Sequence, residues 1–180
     1  MNKKIPIRGF TLIEMIVSVG LFSVVMLVVT AAYLAIITLD KESRSTNELV
    51  VNLSFALESM ARNVRTGTAY SCAGAGNGTC EQLSFIDAEG KTVTYVRKVE
   101  GVESSIGQCL SGACTSSSAV GLTDPRITIQ SLTFYVWGVG TGDQTQPQVL
   151  MTVRGTMQAS VSRTVDFTIQ TSATQRVLDL

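Results

Sequence analysis

Hydrophobic residues fall along the chain in three regimes, and each predicts a different kind of element. Phe10 to Leu39 is a continuous apolar run whose one charged residue is Glu14. A hydrocarbon core about 30 Å thick is crossed by roughly 20 helical residues, so the run predicts a membrane-spanning helix with two or three turns to spare. It exceeds the roughly 7 to 15 apolar residues of a cleaved secretory signal and lacks an Ala-x-Ala-like ending, so it is expected to persist in the mature chain. Past Leu39 the pattern becomes amphipathic: Leu49, Leu53, Ala56 with Leu57, Met60 and Val64 recur at helical spacing, and Glu48, Asn52, Ser59, Arg62 and Asn63 occupy the opposite positions. Neither Pro nor Gly occurs between Gly20 and Gly67. One helix over 10–66 would then run about 85 Å, with 10–39 in the membrane and 40–66 as its amphipathic continuation. The apolar stripe is expected to be the seam on which a sheet lies.

From Gly67 the chain turns to Gly, Ser and Thr with short alternating runs, and 67–180 is expected to be one antiparallel β domain. Leu83 and Phe85 alternate before Asp87-Ala88-Glu89-Gly90, and Val93 and Tyr95 resume after it, which predicts a hairpin. Asp124-Pro125 opens a run in which Ile127 and Ile129 are out of phase with Leu132, Phe134 and Val136, as a bulge or two strands would produce. Val149, Met151 and Val153 form a further strand, and Val161, Val165, Phe167 and Ile169 another, separated from the preceding run by a loop over Gly138 to Gln148. The expected class is α+β, a long N-terminal helix packed on an antiparallel sheet.

Charge and composition narrow the chemistry. Fourteen Lys plus Arg balance fourteen Asp plus Glu, so no basic excess exists to neutralise a phosphate backbone and nucleic acid is not an expected partner. Histidine is absent, which removes Ser-His-Asp and Cys-His arrangements, HExxH zinc sites and every His general base. No catalytic residue, cofactor or metal site is expected. Lys3, Lys4 and Arg8 precede the apolar run, whereas Asp40, Lys41, Glu42 and Arg44 after it sum to zero, so the N-terminus should stay cytoplasmic and the remainder be exported. Cys72, Cys80, Cys109 and Cys114 then lie where disulfides persist. Four cysteines allow three connectivities; sequential pairing makes each bridge a local clamp on a turn, and the other two are compatible with the sequence. Seven and four intervening residues fit a four-cysteine zinc site poorly.

Weaker signals carry no assignment. Gly74 to Gly78 lacks the Gly-Lys-Ser/Thr ending of a phosphate loop, Asn77-Gly78-Thr79 and Asn52-Leu53-Ser54 match a sequon too short to be informative, and Asp124 and Asp143 are isolated where calcium would need clustered oxygens.

The string Lys3-Lys4-Ile5-Pro6-Ile7-Arg8-Gly9-Phe10-Thr11-Leu12-Ile13-Glu14-Met15 resembles the processing site of type IV prepilins and pseudopilins. That family has a short basic leader ending in Gly, then usually Phe, with Glu fifth after the cut; Gly9, Phe10 and Glu14 stand in those places. Singly, Glu14 would read as a hydrated interfacial carboxylate, Gly9 as a helix-start glycine and Phe10 as an interfacial aromatic; their arrangement carries the resemblance. It implies cleavage between Gly9 and Phe10 by a membrane-embedded prepilin peptidase, methylation of the new Phe10 amine, and a pilin-like fold. It also implies partners: other pilin or pseudopilin subunits through the N-terminal helix, an inner-membrane assembly platform and the lipid bilayer.

A physical argument runs beside the resemblance. A carboxylate within an apolar helix is costly and normally paired, and cleavage would create an ammonium at Phe10, four residues away on the same face. The cut also removes Lys3, Lys4 and Arg8, each worth about 2.5 to 3.5 kcal/mol at a bilayer centre, which otherwise hold the helix in the membrane. The expectation is a non-enzymatic subunit of a type IV pilus or type II secretion-like filament, first a single-pass membrane protein and then part of the filament. A minor pilin or pseudopilin is favoured because many major pilins carry a Pro within the apolar helix, and prolines here are confined to Pro6, Pro125 and Pro147. The alternatives are a major subunit of the same kind of filament and a membrane-anchored exported binding module that does not polymerise; an anchored enzyme comes third.

Overall fold

The computed structural model describes residues 9–74, 79–110, 114–140, 145–160 and 163–176. Contacts divide the chain into two compact units, Met1–Ser43 and Arg44–Leu180. A single helix, α1 (Leu12–Thr66), is followed by β1 (Thr68–Gly74), β2 (Thr79–Ile86), β3 (Thr92–Glu100), β4 (Glu103–Leu110), β5 (Val120–Gly121), β6 (Ile127–Trp137), β7 (Gln148–Ser160) and β8 (Arg163–Thr174). The class is α+β, with the helix packed on a curled antiparallel sheet.

In the second unit the helical stripe is the floor of the core. Leu49, Leu53, Ala56, Leu57, Met60, Ala61 and Val64 are buried, and they meet Leu83, Phe85, Tyr95, Ile106, Phe134, Met151 and Val153 from the sheet. Fully burying each such side chain is worth about 1.5 to 3 kcal/mol, so the stripe is the main attachment of helix to sheet. Glu48 and Arg62 are exposed as the period requires. Asn52 and Asn63, expected on the opposite face, instead flank the seam: Asn52 Oδ1 accepts the Asp124 amide at 3.0 Å, and Asn63 Nδ2 donates to the Tyr95 hydroxyl at 2.9 Å. A polar residue one step off an apolar stripe reaches the sheet edge, and these two use that reach.

The end of α1 is closed by residues distant in sequence. A helix leaves its last carbonyls unsatisfied. Here Asn63 O accepts Thr66 Oγ1 at 3.2 Å, Arg65 O accepts the Arg176 amide at 2.8 Å, and the Tyr70 hydroxyl lies 2.5 Å from Val64 O and 2.8 Å from Gly67 O. Gly67 is required by close approach, because a Cβ there would run into the Phe85 ring.

The strand order is β5-β4-β3-β2-β6-β7-β8, with β1 also on β2. The β2–β6 junction is short, Thr79↔Tyr135 and Cys80↔Phe134 among the described residues, so the sheet is two antiparallel ribbons joined at a narrow seam. That seam lets it curl: Ser104 of β4 donates to Ile129 O of β6, and Thr123 Oγ1 accepts the Ile106 amide at 3.3 Å. The expected hairpin is β2–β3. Its turn is held by Asp87, whose Oδ1 accepts the amides of Glu89 and Lys91 at 3.0 and 2.8 Å, and by Gly90 at φ +78°.

The phase change after Ile129 is a bulge within one strand, with the β6–β7 register shifting between Ile129 and Ser131. β1, β4 and β5 lack a clear apolar alternation and were not expected. On the outer face of the second ribbon the register aligns Trp137–Gln148–Thr174, Tyr135–Leu150–Ser172 and Thr133–Thr152–Gln170 in successive ranks. Val161, Asp143 and the Asn77-Gly78 sequon positions lie outside the described residues.

Two outcomes test this packing in the full chain held in detergent micelles. Leu53→Ala should destabilise the second unit by about 3 kcal/mol, whereas Phe55→Ala, at a side chain 73% exposed, should stay within about 0.5 kcal/mol. Equal effects in denaturant titrations would move the seam elsewhere. Burial pushes the Tyr70 hydroxyl up from 10.0 to about 12. A raised folded pKa means that stability is intact below pH 10 and declines as pH rises from there through about 12. Tyr70→Phe should cost about 1 kcal/mol at neutral pH through the lost donor to the helix end, and it should flatten that alkaline decline; an unchanged alkaline limb would show that Tyr70 does not set it.

Candidate functional site: the N-terminal processing and assembly segment

The segment predicted to carry the chemistry begins outside regular structure. Gly9, Phe10 and Thr11 precede the first helical turn and are exposed, Phe10 by 78%. A Cβ at Gly9 would meet nothing within 4 Å. The bond between Gly9 and Phe10 is thus free of the helical hydrogen-bond ladder, a condition a protease needs to bind backbone in extended form. Helix α1 then starts on a Thr-x-x-Glu pattern: Thr11 Oγ1 accepts the Glu14 amide at 3.4 Å, and Thr11 O accepts the Met15 amide at 3.2 Å. This places Glu14 at the third helical position, where a carboxylate favours the positive end of the helix dipole. The capping pattern was present in the sequence and is a second reason for Glu at this position. The leader charges Lys3, Lys4 and Arg8 lie outside the described residues.

From Leu12 to Leu39 the helix surface is exposed and apolar around its circumference, and α1 is long and apolar enough to cross a membrane. Its serine and threonine hydroxyls are turned inward to the helix's own carbonyls. Ser18 donates to Glu14 O at 2.7 Å, Ser23 to Val19 O at 2.8 Å, Thr30 to Met26 O at 2.7 Å and Thr38 to Leu34 O at 3.0 Å. Such back-bonding satisfies each hydroxyl without water and makes the surface compatible with hydrocarbon. The Glu14 carboxylate has no hydrogen-bonding or ionic partner among the described residues.

The second unit holds the cysteines in two bridges, Cys72–Cys80 with Cα atoms 5.4 Å apart and Cys109–Cys114 with Cα atoms 5.7 Å apart. Among the described residues no cluster of three or more His, Cys, Asp or Glu could hold a metal. Asp124 is held by its neighbour. Arg126 donates to both carboxylate oxygens at 3.0 Å and lies 3.6 Å from Glu48, and these bonds keep the Asp124 carboxyl below its ordinary range. The group joins the strand entering β6 to the helix, which is a structural use of the aspartate.

An exposed apolar helix with one carboxylate, long enough to cross a membrane, thus leads into an α+β helix-on-sheet unit with two local disulfides. Residues 6–30 match the family model described as the prokaryotic N-terminal methylation motif. That motif supports a likeness to the type IV prepilin and pseudopilin family over those residues. Comparison with curated proteins and with solved structures finds no match.

The bridges give a direct test. Replacing Cys72 and Cys80 by Ser, or Cys109 and Cys114 by Ser, should each lower stability by about 2 to 3 kcal/mol, the chain-entropy value for loops this short. Non-reducing peptide mapping of the unaltered chain should recover the two sequential linkages, and peptides crossing between the pairs would refute them.

Proposed function

We propose that this protein is a non-enzymatic structural subunit, a minor pilin or pseudopilin, processed at Gly9–Phe10 and assembled through its N-terminal helix into a type IV pilus or type II secretion-like filament. The observation that carries the reading is the arrangement within Gly9 to Leu39. An exposed, non-helical Gly–Phe bond stands directly before a helix that is apolar on every side apart from Glu14. Prepilin peptidase severs that bond and methylates the new amine on Phe10. The ammonium then pairs with Glu14 four residues on, in the same subunit or a neighbouring one. Removal of Lys3, Lys4 and Arg8 releases the helix from the cytoplasmic face, since each cation resists passage through hydrocarbon.

Assembly is then a transfer between two similar solvents. Leaving lipid for a bundle of like helices changes apolar burial little, so the pull must come from packing and from the one polar pair. Back-bonded hydroxyls at Ser18, Ser23, Thr30 and Thr38 add no unsatisfied donor in either place. The Pro-free helix supports a minor rather than a shaft role. The topology has the N-terminus cytoplasmic and the Arg44–Leu180 unit exported, where the disulfides persist.

Intact mass of the protein extracted from its native envelope tests the reading. Loss of residues 1–9 with gain of one methyl is expected, and a mature chain that retains Met1 to Gly9 would sink it. Glu14→Val should leave insertion and cleavage intact while filament incorporation falls by about tenfold or more, because an uncompensated cation is left in the bundle. Incorporation at native levels would refute the pairing. Copies counted by quantitative mass spectrometry of sheared filaments should be scarce relative to the shaft subunit.

A further inference from the structure

The sheet has a second face that neither the core nor the N-terminal helix uses. On β6 and β7 the inner residues are buried and on β8 they are half-buried up to the buried Ala173, and the outer ranks bring Trp137 beside Gln148 and Tyr135 beside Leu150, with Thr152 and Gln170 in the rank that follows. Tyr135 is 39% and Trp137 43% exposed. No charged side chain occurs in these three ranks; Arg154 enters only in the fourth. Threonine on an outer sheet face follows from β-propensity alone. Two exposed aromatics next to each other, set among amides and hydroxyls without a charge, do not.

Chemistry and size select the ligand. A phosphate backbone or an acidic polymer would find no cations here to replace its counterions. Three strands at about 4.8 Å and three ranks at about 6.8 Å give a face of about 14 by 20 Å, or roughly 300 Å², well below the roughly 800 Å² per partner of a stable protein interface. A single neutral polymer chain fits that width. Sugar rings present apolar C–H faces for aromatic stacking and hydroxyls that both donate and accept. Glutamine amides and threonine hydroxyls likewise do both.

We propose that the outer face of β6 to β8 around Tyr135 and Trp137 binds a neutral linear glycan, the two aromatic rings stacking on sugar rings while Gln148, Thr152 and Gln170 exchange hydrogen bonds with hydroxyls. This function is independent of polymerisation, and it would give an exported subunit an adhesive surface.

Trp137 is the single tryptophan of the chain, so its emission reports on this face directly. The full-length protein, in a detergent without a sugar headgroup, is titrated with the β-1,4-linked hexamers of N-acetylglucosamine and of glucose. A saturable change in emission with at least one hexamer is expected, and Tyr135→Ala should weaken binding by about tenfold, as truncating a central aromatic does. Gln148→Ala, a milder change on an outward side chain, should weaken it measurably with the unfolding midpoint retained. Val102→Ser, at an exposed residue on the β3–β4 turn, should leave it unchanged. The proposal is overturned by absence of a saturable change with both hexamers or by equal binding in folded Tyr135→Ala. Comparable affinity for hexagalacturonate or an oligonucleotide also overturns it. So does an emission change that tracks protein concentration without glycan, which would make the face a contact between copies.

Discussion

Burial of the Leu49 to Val64 stripe is the interaction on which the Arg44–Leu180 unit depends. Helical periodicity puts Leu49, Leu53, Leu57, Met60 and Val64 on one side, and a sheet that covers them must offer apolar residues on a matching inner face. The curl follows from that demand. A flat sheet would meet the helix along one line, whereas two ribbons joined at Cys80↔Phe134 and Thr79↔Tyr135 bring Ile106 and Ile129 to the same core. Once the helix is seated, its last carbonyls must be satisfied, and Tyr70 and Arg176 do so from opposite ends of the sheet sequence. Seam, curl and helix closure are therefore one problem solved together.

The first stretch of the same helix obeys a different rule. No stripe exists from Leu12 to Leu39, since every side is apolar, and orientation about the axis cannot be set by hydrophobicity. Hydroxyls bound to their own helix remove themselves from that decision as well. Glu14 is left as the one charge that distinguishes one face and one height from another. A single polar group in an apolar bundle specifies register at a cost in stability, and the amine that the proposed cleavage creates at Phe10 is what would offset that cost.

Much of this was legible in the sequence, for physical reasons that vary by element. The α1 seam was readable because seven buried positions follow one period, and the β6 bulge because Ile129 and Leu132 cannot share a face of an unbroken strand. The hairpin was readable because Asp87 and Gly90 are turn residues with known jobs. β1 and β4 were not. Thr68–Gly74 and Glu103–Leu110 are built mostly of small and polar residues around Tyr70 and Ile106, and their strand state comes from pairing with β2 and β3 rather than from their own pattern. Asn52 and Asn63 misled for a related reason: periodicity tells which side a residue faces, but not that a side chain at the border finds Asp124 or Tyr95 within reach. In the N-terminal segment, Gly9, Phe10 and Glu14 were readable as an arrangement, while the cap from Thr11 required the helix start itself.

Composition can now be given a spatial cause. Only 16% of the chain is charged, and the ion pairs sit at margins: Glu48, Asp124 and Arg126 join helix to strand, and Lys98 pairs with Glu100 at 2.8 Å beside the β3–β4 turn. Three surfaces are kept neutral for three different neighbours. Leu12 to Leu39 suit the lipid or like helices of the proposed function, the core meets the seam, and the outer ranks of β6 to β8 carry aromatics, amides and hydroxyls. A charge on the first would oppose transfer out of the membrane, and on the second it would cost its full desolvation. On the third surface a charge costs nothing in stability, because the face is solvated. Neutrality there is the one case that folding does not require, and it points to a neighbour outside the chain.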